Sequence, residues 1–546
     1  MYIKKATISN YRSIKRDSLE IEFAIPNGQP GSGITTIVGS NNVGKSNVYH
    51  ALDLVFNKAG SGNVKNKQRA DDDSEVVIEL IDADFETSID EYVQENKRES
   101  FKSLIFEDES LKKFRIHRKI VDSVGAIEIW DQTRMTFKNV AGIDAPIQKW
   151  LHFLPLWANT TTEEVADYSA KSIIGELLAK IVEEIQDDDT YKTLHEQFEK
   201  IFGGTDSSML TQKTASISDE VSALIKEQFA EVGIKFKAEP PKIEQYVSRI
   251  KTLVDDGDET EISEKGSGLQ RAIMIALIQV YSKMLNTGAS KKPFFLFIDE
   301  PELYLNPQAQ KILLDALRQI SANEQVFLVT HSPYFIDWDD YANGAKIGKA
   351  RRTELGTEIC WLDSPASYSN LLTNHVSTWQ QPQLLDVASK EILFSEKLLF
   401  LEGQEDVGLI RKWLKENNKT INFDIFGYGV GGFGKFAAFL KLASDLGLRK
   451  VAVVYDNGTA EKVRMGQDIH INSTYKLLQL AANDIRDKFK SCGSCVKCAA
   501  SKYNQCTSRT QAKVGCFDES GNIKDGTVEY SDFCAKFDEI SEYLNT

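Results

Sequence analysis

The chain has 546 residues, 42% of them hydrophobic and 27% charged, enough for roughly three or four domains with buried cores. Its formal net charge of −15 gives the chain as a whole no basic footprint, which weighs against non-specific coating of DNA and leaves room for a local basic channel between protomers. No apolar run approaches the roughly 18 residues needed to span a bilayer, and the start MYIKKATISNYRS lacks a signal-peptide core, so a cytoplasmic protein with no membrane partner is expected.

In chain order, the β-branched run Ile34 to Val38 predicts a buried strand, and Gly39-Ser40-Asn41-Asn42-Val43-Gly44-Lys45-Ser46 follows it and opens a helix. That run matches G-x-x-x-x-G-K-[ST], the loop that cradles the phosphates of a nucleoside triphosphate. Backbone N–H groups around Asn41, Asn42 and Gly44 approach the phosphates, Lys45 brings a cation to the β/γ oxygens, and the Ser46 hydroxyl is a Mg²⁺ ligand. His50, inside the helix, reads as packing. Val76 to Asp84, Phe114 to Ile120 and Ala126 to Trp130 predict strands of an antiparallel subdomain. From about 165 to 236, apolar residues recur at helical spacing; these stripes either pack within a hairpin or pair two copies, and the dimerising reading is preferred.

Ser263 to Gln270 contains Gly266-Ser267-Gly268 and opens a helix of strong apolar content, Ile273 to Val280, as an anion site at a helix start does. Lys292 to Ile298 predicts a buried strand ending in Asp299-Glu300-Pro301, with Asp299 in a Mg²⁺ shell and Glu300 orienting or deprotonating the attacking water. A second buried run, Val326 to Val329, ends in Thr330-His331-Ser332, where His331 could sense the γ-phosphate.

A further strand-helix-strand pattern begins near Lys397. Leu398 to Leu401 ends at Glu402, Asp406 opens the helix Val407 to Leu414, and Lys450 to Tyr455 ends at Asp456-Asn457-Gly458. Two parallel strands of this kind bring their terminal carboxylates to one sheet edge, where they bind Mg²⁺ or Mn²⁺ and can act on a phosphodiester. The glycines between 427 and 434 permit a strand-to-helix turn; no acid follows at the distance a dinucleotide site needs. Of seven cysteines, six lie near the C-terminus, and Cys492-x-x-Cys495-x-x-Cys498 followed by Cys506 has the spacing of a four-thiolate zinc site. Reduced cysteines in an insert are the alternative.

The order of phosphate loop, long insertion, Gly-Ser-Gly helix start, Asp-Glu-Pro and Thr-His-Ser resembles the ABC-type ATPases of the SMC, RecF and Rad50 kind. Tyr11-Arg12-Ser13-Ile14 is similar to the superfamily's Phe-Arg-x-Phe element, which implies that Arg12 lies near the nucleotide. In such heads two copies sandwich ATP, so Gly266, Ser267 and Gly268 would meet the γ-phosphate held by the partner, and a homodimer or larger homo-oligomer is implied. Two departures stand out: Gln68 is the sole glutamine near the usual Q-loop place, and Leu305-Asn306-Pro307 lacks the D-loop aspartate.

The C-terminal pattern resembles a Toprim domain, and the whole resembles the OLD-family nucleases, including Gabija-type and retron-associated members. That resemblance implies an α/β protein: an ABC/SMC-like P-loop ATPase head with a helical insertion, followed by a C-terminal Toprim (Rossmann-like) domain. The expected boundaries are 1–164 and 237–380 for the two ATPase lobes, 165–236 for the insertion, and 390–546 for the Toprim domain with its cysteine-rich tail. It implies an ATP-regulated, metal-dependent DNA endonuclease in anti-phage defence, with Glu402, Asp406 and Asp456 as its acids. The implied partners are DNA and either a helicase-like protein or a reverse transcriptase with its DNA-RNA product. Gly458 stands where the second aspartate of Asp-x-Asp belongs, which keeps open a non-nucleolytic ATPase scaffold whose degenerate Toprim binds nucleic acid or a partner protein. Asn457, Glu461 or an acid from the C-terminal tail are the candidate replacements.

Overall fold

The computed structural model describes residues 1–15, 18–57, 73–82, 84–120, 124–140, 147, 152–156, 189–202, 208–228, 253–266, 268–270, 272–273, 276–280, 294–368, 387–457, 475–490 and 510–545. The chain divides into two units, one made of 1–158 with 292–546 and the other of 159–291. Among the described residues no helix is long and apolar enough to cross a membrane.

The first unit opens with β1 (Tyr2–Ser9) and β2 (Leu19–Glu22), then β3 (Ile34–Val38) and helix α1 (Lys45–Asn57). There follow β4 (Ser74–Ile81), α2 (Phe85–Tyr92), α3 (Glu95–Lys102), β5 (Phe106–Asp108), β6 (Leu111–Ile120), β7 (Val124–Asp131), β8 (Thr136–Asn139) and β9 (His152–Leu156). An antiparallel sheet runs β2-β1-β4-β6-β7-β8, with β5 on β6. Strand β4 alternates buried and half-buried side chains along SEVVIELI, the period of a sheet with one face on the core. It stops at Ile81, short of the expected Asp84, because the Asp84 carboxylate accepts the Thr87 N–H and caps α2 instead.

In the second unit, helices α4 (Asp189–Phe202) and α5 (Met209–Gln228) form a pair, and β10 (Leu253–Asp255) ladders with β11 (Glu259–Glu261). The first unit then resumes with β12 (Phe294–Asp299), α6 (Pro307–Ile320), β13 (Gln325–Val329), α7 (Trp338–Asn343), β14 (Lys346–Thr353) and β15 (Gly356–Trp361). A second sheet has the order β15-β14-β3-β13-β12-β9, parallel except for β15. Its central strands are apolar without alternation because both faces are covered: β3 and β13 are buried throughout, and Phe297 stacks among Phe153, Phe327 and Tyr49.

After α8 (Val387–Lys390) come β16 (Lys397–Phe400), α9 (Gln404–Glu416), β17 (Asp424–Ile425), α10 (Phe436–Asp445), β18 (Lys450–Tyr455) and β19 (Lys476–Gln479). The four strands form one parallel sheet in the order β17-β16-β18-β19. Beyond it, β20 (Asp484–Arg486) pairs with β23 (Gly515–Phe517), β21 (Lys488–Lys490) pairs with β22 (Thr510–Lys513), and α11 (Val528–Asn545) ends the chain's described part. Trp413, Phe533 and Phe537 lock α9 against α11.

Among the described residues, the C-terminal sheet and the sheet that carries β3 share a buried apolar cluster. Val38, Ile336, Trp338, Tyr341 and Ile347 share one buried cluster with Leu398, Phe400, Phe439, Leu440 and Val451. The buried Lys349 donates to the Ser395 carbonyl, Tyr368 donates to Asp445, and Ser40 of the phosphate loop donates to Glu396 at 2.9 Å.

Candidate functional site

The register of the second sheet sets Asp299 beside Val329, and Val329 beside Ile37, so β3, β12 and β13 end together at one edge. This is the carboxyl edge at which open α/β sheets gather their functional loops. The loop after β3 turns sharply: any side chain at Gly44, where φ is +99°, would overlap Thr357 and Ser13. Thr357 Oγ1 in turn donates to the Val43 carbonyl at 2.8 Å, fixing the loop from the β15 side. Lys45 is buried and donates to the carbonyls of Gly39 and Ser40 at 3.1 and 2.8 Å. Burial pushes its amine down to about 8, against the opposing pull of Glu300, Asp299 and Glu302. Asn41 and Asn42 stand exposed at the loop tip.

Burial pushes the Asp299 carboxyl up to about 6, although Ser46 donates to it and Lys45 lies near. Its Oδ1 is buried without a hydrogen-bond partner. An orphaned carboxylate oxygen beside the Ser46 hydroxyl is a donor pair suited to Mg²⁺, so these two residues fit the ion that accompanies a nucleotide. Glu300 sits in left-handed backbone, φ +49°, and its carboxylate lies 3.6 Å from His331 Nε2. Burial first and Lys45 second lower the pKa of His331, while Glu300 and Glu302 oppose them. Arg12 donates to Asn47 at 3.4 Å on the first turn of α1, next to the loop.

At the C-terminal sheet, β16 and β18 are parallel neighbours, with Phe400 beside Val453, and their ends deliver Glu402 and Asp456 to one edge. Gly429 fits here because a Cβ would come within 2.8 Å of the Gly403 backbone. Asp406, in the first turn of α9, accepts the Gly403 N–H at 2.9 Å. Burial, and then the neighbouring charges of Glu402 and Asp484, push its carboxyl up to about 7. Asp456 is likewise pushed up to about 7, by burial and then by Asp406, Asp484 and Glu402. No motif in the sequence marks Asp484, which is buried at the start of β20 and bridged by Lys488 and Lys513, each at 2.8 Å. Burial raises its pKa, but the two ammonium groups outweigh that and hold its carboxyl below the usual range. Glu405 pairs with Arg486 at 2.6 Å and Lys488 at 3.5 Å.

The AAA ATPase domain family model matches residues 1–142 and 76–336. The chain belongs to that ATPase family, as a member of its OLD type. It is 24% identical over 441 residues to the Old nuclease of Escherichia phage P2, covering 76% of this chain and 70% of that protein. It is 20% identical over 521 residues to the endonuclease GajA of Bacillus cereus (strain HuB5-5), covering 79% and 73%. The OLD nuclease of Thermus scotoductus is 24% identical over 242 residues, 43% of each chain.

The OLD-type ATPase carries its Gly-Ser-Gly residues in the second unit. Ser267 lies outside the described residues; Gly266 accepts the Gln270 N–H at 3.1 Å, the first turn of a helix that includes Gly268. Gln68, Gly458, Glu461, Cys492, Cys495, Cys498 and Cys506 also lie outside the described residues. Asn457 is engaged elsewhere: its amide donates to Ala481 and its carbonyl accepts from Gln479. Among the described residues of the ATPase, no three His, Cys, Asp or Glu side chains are gathered tightly enough to hold a metal ion. The oxygen donors at the C-terminal edge are of the kind a hard divalent cation takes. His50 is confined by burial and by Arg12, which lower its pKa to about 4.

Proposed function

We propose that the chain is an ATP-regulated, metal-dependent DNA endonuclease acting as a bacterial anti-phage effector; the names of its relatives say nuclease or endonuclease. The observation that carries the nuclease half is the convergence of Glu402, Asp406, Asp456 and Asp484 at one sheet edge, where burial and then the neighbouring carboxylates raise the pKa of Asp406 and Asp456. In this reading the C-terminal sheet is a Toprim domain, and Asp484 stands in for the carboxylate that Gly458 removes. A divalent cation held there supplies water activation and stabilises the leaving oxygen. Glu402 and Asp456 hold it from the two strand ends, Asp406 orients the Gly403 turn, and Lys488 and Lys513 meet the phosphodiester. In the head, Lys45 neutralises the β/γ-phosphates, Ser46 and Asp299 hold Mg²⁺, Glu300 orients the water, and His331 reads the γ-phosphate. Gly266, Ser267 and Gly268 complete the pocket of a second copy, so the working form is a homodimer or larger; the cysteine set 492, 495, 498 and 506 binds zinc.

The test is nicking of a supercoiled plasmid by the purified protein in Mg²⁺ or Mn²⁺, with and without ATP. Glu402→Ala should abolish nicking and leave ATP hydrolysis intact; nicking at the wild-type rate by that variant would sink the assignment. The scaffold reading draws support from one observation, the capture of Asp484 by two lysines. It predicts no cleavage with either metal under any nucleotide condition.

A further inference from the structure

We infer that Glu302 is a positioning residue for ATP hydrolysis: its carboxylate straps the His331 peptide to the turn that carries Glu300, so that the imidazole and the Glu300 carboxylate keep one spacing. Glu302 is no part of the phosphate-binding set, and it lies two residues beyond Glu300 in a turn with two residues in left-handed backbone, Glu300 at φ +49° and Tyr304 at φ +64°. One of its carboxylate oxygens accepts the Thr330 hydroxyl at 2.6 Å, and the other accepts the His331 N–H at 2.6 Å. Thr330 is fully buried, and its Oγ1 also accepts the Ser332 N–H at 2.9 Å, so the hydroxyl proton is committed to Glu302. A carboxylate bound by two short donors is a charge-assisted, two-point hold. The same turn is pinned from its other end, because the Glu300 N–H donates to the Val329 carbonyl at 2.8 Å. The ends of β12 and β13 are thus tied twice, by one backbone bond and by one side chain. What stands between the two ties is the 3.6 Å approach of His331 Nε2 to Glu300.

The inference rests on the roles given above to Glu300 and His331. The strap depends on reach and on two acceptor oxygens. Glu302→Gln keeps the length and an acceptor for the His331 N–H but loses the acceptor for the Thr330 hydroxyl, whereas Glu302→Asp keeps both acceptors and falls short by one methylene.

The experiment is steady-state ATP hydrolysis by the full chain, with thermal unfolding as a check of folding. Glu302→Gln, which keeps the His331 N–H contact and loses the Thr330 one, should lose less than about tenfold in kcat, while Glu302→Asp and Glu302→Ala should lose about 10- to 100-fold with KM for ATP little changed, the scale of a misplaced catalytic group. In a His331→Ala background, adding Glu302→Ala should cost less than about twofold more, since two residues acting through one step are not additive. Full additivity in the double variant overturns the inference, as does an active Asp variant beside an inactive Gln variant. Loss in His331→Ala with wild-type turnover in Glu302→Ala defeats the strap alone. A silent His331→Ala beside an impaired Glu302→Ala defeats the role of His331 and the strap with it. Should Glu302→Ala fail to fold, the contrast between Gln and Asp decides by itself.

Discussion

The nucleotide pocket and the C-terminal acid edge are built from the same device, carboxylates delivered by the ends of parallel strands, yet they treat charge in opposite ways. In the pocket the acids lie beside groups that oppose their charge: Asp299 accepts from Ser46, Glu300 lies 3.6 Å from His331 Nε2, and Glu302 accepts from Thr330 and the His331 N–H, all in the field of Lys45. At the C-terminal edge Asp406 and Asp456 face chiefly other carboxylates, and the two nearest lysines are taken by Asp484. The first site is balanced by its own protein. The second stores repulsion that a bound cation would relieve, a common arrangement where function costs stability.

Four substitutions probe that contrast. Lys45→Ala should remove the cation whose field reaches Asp299, Glu300 and Glu302, cutting ATP hydrolysis by about 10²- to 10³-fold in a phosphate-release assay while the metal affinity proposed for the acid edge is unchanged. Asp484→Ala should release Lys488 and Lys513 and lower plasmid nicking by about tenfold or more, with ATP hydrolysis unchanged, if those lysines work only when held. Asp456→Asn should raise stability in chelator by about 1–2 kcal/mol in denaturant unfolding, because it removes a charge from a repelling group. The smallest effect concerns Lys349, buried between the two regions, where burial lowers its amine to about 8. An amine whose folded pKa lies below its unfolded value is disfavoured when charged, so the unfolded chain holds the extra proton between about pH 8 and 10.4 and stability gains as pH rises through that window. Unfolding at pH 7.5 and 9 should therefore differ by about 1 kcal/mol more in the wild type than in Lys349→Met.

What could be read from the sequence were elements whose chemistry is contiguous. The phosphate loop announces itself because Gly39, Gly44, Lys45 and Ser46 must be neighbours in the chain to surround one phosphate. The strands leading to Asp299, Glu402 and Asp456 stand out because a strand buried on both faces is an unbroken apolar run and its polar end is abrupt. Asp484 gave no such signal. It opens a three-residue strand whose partner begins at Gly515, and its lysines come from positions 488 and 513, so only the folded chain unites them. Ser13 and Thr357, which hem in Gly44, lie 344 residues apart and meet at 2.7 Å. Asp84 was misread for a local reason: its side chain competes for a helix N–H, and a period-two pattern does not register that competition.

The cluster that joins Val38 to Leu398, Phe400 and Phe439 bears on how this chain can be divided. Val38 is the last residue before the phosphate loop and is wholly buried. A head expressed without residues 390–546 would leave Val38, Ile336, Trp338 and Ile347 facing water, and the ammonium of Lys349 without the Ser395 carbonyl it now reaches. Such a fragment would be sticky at the base of its own nucleotide loop. The two halves are better regarded as one folding unit bearing two sites than as modules that can be shuffled, and a genetic fusion or split that respects motif boundaries would cut through a core.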